Sequence, residues 1–88
     1  GKRPNLYFYR DSKGNEVDLL ISQGHSFTAV EIKSGRTFAT EFAEGIGHFR
    51  EALQAKGTVN GRVWYNGRRE TKYKDIRVGN PLIHGFEW

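Results

Sequence analysis

With 88 residues, the chain has room for one domain, built on one sheet and one or two helices. An apolar fraction of 36% predicts a thin core, zero Cys excludes disulfides, thiolate zinc sites and thiol nucleophiles, and no apolar run reaches the roughly 18–20 residues of a membrane span. The net charge is +4 and is concentrated: Lys56 to Arg77 carries +5 and the rest of the chain −1, the electrostatic footprint of a polyanion binder.

The opening Gly1-Lys2-Arg3-Pro4 lacks a Met, and Leu6 leads straight into a strand pattern. The expectation is a piece excised from a longer, intracellular protein. Leu6-Tyr7-Phe8-Tyr9-Arg10 is aromatic-rich and predicts a strand. Asp11 to Asn15 is a turn cluster around Gly14, Glu16 to Ile21 a second strand, Gln23 to Ser26 a turn and Phe27 to Lys33 a third strand. Short loops make these an antiparallel meander. Phe38, Phe42, Ile46, Phe49 and Leu53 then recur at four, four, three and four residues, an apolar stripe on one helical face. Glu44, His48 and Glu51 fall on the opposite side, Gly45 allows close approach to a sheet, Thr40 is the expected N-cap and Gly57 the terminator. Arg62 to Tyr65 predicts a fourth strand, Asn66 to Lys74 a basic loop, and Ile76-Arg77-Val78 a short last strand. The fold class is therefore α/β: a β-β-β-α-β mixed sheet with one helix packed on it.

Alternation places Val17, Leu19 and Ile21 on one face of the second strand and Glu16, Asp18 and Leu20 on the other. In the third strand, Thr28, Val30 and Ile32 oppose Phe27, Ala29, Glu31 and Lys33. Apolar residues on both faces predict strands covered, at least in part, on both sides. Asp18, Glu31 and Lys33 then stand among apolar neighbours, where carboxylates must pair, take up a proton or bind a metal. Glu31 and Lys33 project from one face about 6.5–7 Å apart, and paired strands lie about 4.8 Å apart, so Asp18 can reach the same patch. Two carboxylates and a cation suit Mg²⁺, which takes one or two carboxylates and leaves its other positions to water and phosphate. The alternative is an internal Glu31–Lys33 salt bridge with Asp18 in solvent.

Other patterns are weaker. The Asp11–Asp18 turn fails the EF-hand spacing at Lys13 and has no closing Glu. His25, His48 and His84 share no metal spacing, and no phosphate-binding glycine loop occurs. Tyr7, Tyr9, Trp64 and Tyr65 are candidates to stack on bases, with Arg68, Arg69, Lys72 and Lys74 as candidate phosphate contacts. Phe86 and Trp88 are expected to pack back on the sheet or to dock a partner.

Asp18, twelve intervening residues, then Glu31-Ile32-Lys33 on the next strand of a hairpin resembles the PD-(D/E)XK, restriction-endonuclease-like superfamily. Tyr7 to Asp11, Gly14 to Ile21 and Val30 to Ser34 resemble one branch more closely: the C-terminal nuclease-like domain of unknown function in bacterial and archaeal AAA-type ATPases. The resemblance extends from about Tyr7 to Leu53. It implies Asp18 and Glu31 as metal ligands, joined by the Ile32 backbone carbonyl, Lys33 as the catalytic lysine, and Glu16 as an auxiliary acid. It implies Mg²⁺ or Mn²⁺ as cofactor, DNA as substrate, an N-terminal ATPase module as partner and a prokaryotic cytoplasm as location. The superfamily core is α-β-β-β-α-β, and here no helix precedes Leu6. The Pro of the motif name is also absent, since Val17 precedes Asp18.

Two functions follow as expectations. One is metal-dependent phosphodiester hydrolysis on DNA at Asp18, Glu31 and Lys33. The other is a non-enzymatic module that holds nucleic acid or protein for an attached ATPase. A thin core with one open sheet face also predicts self-association.

Overall fold

Two tight turns set the first half of the sheet. Asp11 Oδ1 accepts from the backbone N–H groups of Lys13 (2.9 Å) and Asn15 (3.0 Å), and Gly14 and Gly24 take φ of +86° and +64°, which a side chain disfavours. The turns join β1 (Asn5–Arg10), β2 (Glu16–Gln23) and β3 (Ser26–Ile32) into an antiparallel meander. The structure is a computed structural model and describes residues 5–53 and 56–84. Phe86 and Trp88 lie outside the described residues, as does the side chain of His84.

After β3 the chain crosses over through α1 (Glu44–Leu53), preceded by a 3-10 turn at Thr40–Ala43. It returns as β4 (Thr58–Trp64), parallel to β3. A parallel return needs such a crossover because two parallel ends lie a strand length apart. β6 (Ile76–Gly79) pairs parallel with β4, and β5 (Thr71–Tyr73) pairs antiparallel with β6 at the edge. The order is β1-β2-β3-β4-β6-β5, and a one-turn helix α2 (Pro81–His84) follows. The α/β mixed sheet is as expected, with an added strand: β5 lies inside the stretch expected to be a loop. Its three residues sit among Arg69, Glu70 and Lys74, and apolar periodicity cannot show in so short a segment.

The core lies between α1 and one sheet face. Ile46 and Phe49 pack on Leu20, Ala29, Val63, Ile76 and Val78, flanked by Phe38, Phe42 and Leu53. Phe49 meets Tyr9 and Phe27 edge-on at 5.0 and 5.6 Å between ring centroids. The apolar stripe thus packs as the sequence predicts, although Phe38 precedes the helix. Ala39, not Thr40, caps the 3-10 turn, with no side-chain hydrogen bond. Arg50 ties α1 down: it donates to both Asp75 carboxylate oxygens (2.9 Å each) and to the Val59 carbonyl (2.9 Å). These bonds hold the Asp75 carboxyl below its usual range.

Strict alternation fails in β2. Tyr7 pairs with Leu20 and Tyr9 with Val17, so β2 carries one extra residue there, a β-bulge. The bulge turns Val17 onto the helix side with Leu20, and both join the core. Coverage of both faces is also corrected. Among the described residues, only one face carries α1. On the other, Val30 is buried while Leu6, Phe8 and Ile32 stay exposed. No helix among the described residues is long and apolar enough to cross a membrane.

Gly47 lies on the exposed face of α1, and a Cβ there would meet nothing within 4 Å. Gly47→Ala is therefore expected to stabilise the protein by about 0.5–1 kcal/mol through helix propensity and a less flexible unfolded chain. In urea, the midpoint should rise with an unchanged slope.

Candidate active site

The β2 bulge and the end of β3 bring the predicted triad together. Asp18 leaves the regular ladder, and its Oδ2 accepts the Ile32 backbone N–H at 2.8 Å. That bond pins the carboxylate beside Glu31 on the neighbouring strand. Glu31 pairs in register with Val63 and points to the helix side, where it is only 5% exposed. Lys33 Nζ lies 3.5 Å from Glu31 Oε2 and 5.7 Å from the centre of the Phe42 ring. The salt bridge considered as the alternative is thus present, but it satisfies one oxygen only. Glu31 Oε1 is buried and has no hydrogen-bond partner.

Electrostatics follow from this placement. Burial, then the nearby Asp18 charge, pushes the Glu31 carboxyl up to about 7, against the smaller opposing pull of Lys33. A buried carboxylate that keeps an unpartnered oxygen beside a second carboxylate needs a proton or a cation. The donor set fits a small divalent ion, which needs only one or two carboxylates and otherwise takes water and phosphate oxygens. Among the described residues, no three His, Asp or Glu side chains form a metal cluster. The fit is that of a carboxylate pair supplemented by backbone and water.

α1 roofs the site because Gly45 has no side chain. An added Cβ would run into the Glu16 carbonyl oxygen and lie 2.7 Å from Glu31 Oε1. The resulting open cleft, about 250 Å³, is lined by five carboxylates, Glu16, Asp18, Glu31, Glu41 and Glu44, against Lys33 and His48. Glu41, Glu44 and His48 escaped the sequence reading. Their 3- and 4-residue spacing marked a solvent-facing helical side, and only the docking of α1 over the bulge turns its edge onto the cleft. Glu16 is already engaged, with Arg10 Nε and Nη2 at 2.8 and 2.6 Å from its Oε1.

The predicted phosphate contacts do not form one patch. Arg68 lines a cleft with Arg36, whereas Lys74 caps the β5–β6 turn at φ +56° and lines another with Arg50. The Arg69 carbonyl accepts the Tyr65 hydroxyl at 2.6 Å. Lys72 pairs in register with Arg77, and Arg77 with Arg62, giving a cationic row on the face away from α1. Of the four aromatics considered for base stacking, Tyr65 is buried in the core and Tyr9 packs against it. Tyr7 stays exposed, and Trp64 is half-buried on the opposite face.

No curated protein and no solved structure matches the chain significantly. The family described as Domain of unknown function (DUF4143) matches residues 1–83, nearly the whole chain. The carboxylate pair, its lysine and the roofing helix all lie inside that span, and the chain belongs to this family.

Proposed function

We propose that the domain is a PD-(D/E)XK-type site for Mg²⁺- or Mn²⁺-dependent hydrolysis of DNA phosphodiesters. The observation that carries this reading is the buried, unpartnered Glu31 Oε1 beside Asp18 and Lys33. Asp18, Glu31 and the Ile32 backbone carbonyl would hold the ion, with Glu16 as a further acid once released by Arg10. When bound, such an ion lowers the pKa of a water and offsets phosphate charge. Hydrolysis adds water to phosphorus and breaks one P–O ester bond. Lys33 sits at the cleft with its ammonium partly exposed, placed to hold the charge that develops on the phosphate oxygens. Cations matter here because five carboxylates would otherwise repel an anionic substrate. The AAA-type ATPase partner comes from the resemblance.

Calorimetry with Mn²⁺ tests the reading, with Asp18→Asn as the paired control. The parent is expected to bind one ion, and the variant to bind at least tenfold more weakly. Equal binding in both proteins, or none in either, would remove the metal site and leave the non-enzymatic holding module.

A further inference from the structure

The carboxyl ends of the parallel strands β3, β4 and β6 meet at a second cleft, of about 400 Å³, whose lining is opposite in character to the first. It is bounded by Arg36 after β3, Asn66, Gly67 and Arg68 after β4, and Asn80 after β6. Two guanidiniums and two side-chain amides face it, and none of the described lining residues carries a carboxylate. Its walls are fixed to one another. The Asn66 N–H donates to the Gly35 carbonyl (2.9 Å), and the Tyr65 N–H to the Gly79 carbonyl (3.0 Å). Gly67 is buried so close to the Arg36 carbonyl that a Cβ would stand 2.6 Å from it. Asn80 is only 7% exposed, and its Oδ1 accepts the Leu82 N–H at 3.0 Å. Crevices outside the carboxyl ends of parallel strands are where open α/β sheets bind ligands.

From this arrangement we infer that the Arg36–Arg68 cleft is a phosphate-binding subsite that holds the backbone of a nucleic-acid strand leading toward Lys33. Guanidinium forks and amides match phosphate oxygens. Lys33 connects the two clefts: it lines the acidic one, and it borders the apolar groove of Ile32, Trp64 and Leu82 that also touches Asn66 and Asn80. A strand crossing that groove lays a base on an apolar floor, with one phosphate held at Arg36 and Arg68 and another at Lys33. The strand's identity rests on the phosphodiesterase reading, whereas the anion chemistry of the cleft does not.

The test is fluorescence anisotropy of a labelled 12-nucleotide single-stranded DNA on the full chain, in EDTA so that no metal takes part. Arg36→Ala/Arg68→Ala is expected to weaken binding at least tenfold. It should also flatten the slope of log K against log salt by roughly 1.4, about 0.7 per lost phosphate contact. Lys13→Ala/Lys56→Ala removes the same charge elsewhere and should stay near the parent. Amide NMR shifts of Asn66, Gly67 and Asn80 in the parent separate the sources: saturable shifts with inorganic phosphate indicate a subsite open to small anions, and shifts with DNA alone indicate the backbone. The inference is overturned if the arginine variant binds like the parent, if the parent does not bind, or if neither probe moves those amides. Loss of Mn²⁺ binding with an intact arginine effect would remove the hydrolytic reading and keep the subsite.

Discussion

Glu31→Gln is expected to yield a protein about 3 kcal/mol more stable than its parent above pH 7, and equally stable near pH 4.5. The folded Glu31 carboxyl is raised from 4.5 to about 7, chiefly by burial and then by Asp18. Between those values the folded chain binds a proton that the unfolded chain has released, so stability falls as pH rises through the window and levels off above about 7. A tenfold change in proton affinity between the folded and unfolded chain is worth about 1.4 kcal/mol. Gln imitates the neutral acid and removes this slope. Urea unfolding of both proteins at pH 4.5, 6 and 8 measures it. A parent-to-variant difference that stays constant across the range would show that Glu31 ionises normally and that its buried oxygen is not under strain. Mn²⁺ at pH 8 should restore the parent's stability by mass action and leave the variant unchanged, which joins the stability measurement to the proposed site.

Gly45→Ala is expected to destabilise the protein by about 2 kcal/mol although it improves helix propensity. The added methyl meets the Glu16 carbonyl oxygen, which as backbone cannot rotate away, and the Glu31 carboxylate. Overpacking costs about 1–3 kcal/mol, and a backbone obstacle places this case at the upper end, offset by roughly 1 kcal/mol of propensity. Gly47→Ala, two residues along the same helix, carries the same propensity gain without the obstacle and should change stability in the opposite direction. If both variants stabilise, α1 does not sit on the Glu16–Glu31 segment as described. Gly45→Ala should also weaken Mn²⁺ binding, since lifting α1 exposes Glu31 to water and removes its need for a cation.

How much of this was legible in the sequence depends on the range of the signal. The β-β-β-α-β order, the apolar stripe ending at Leu53 and the pairing of Asp18 with Glu31 and Lys33 were readable, because periods of two and 3.6 residues and turn residues such as Gly14 act locally. The bulge was not readable. Strict alternation assigned Val17 to the wrong face, since an extra residue in β2 shows only against the register of β1. His48, Glu41 and Glu44 carried no signal as site residues, because a helix surface becomes a cleft wall only when docking at Gly45 brings it there. The basic block was visible as charge, but its division into the Arg36–Arg68 cleft, the Lys72–Arg77–Arg62 row and the Lys74 turn follows from strand order, and Arg36 came from outside the block. The sequence by itself determined the elements and the residue types able to hold a metal and a phosphate. The tertiary structure decided which of them share a cleft and which oxygen is left buried without a partner, because burial and electrostatic coupling act through space between strands that are distant along the chain.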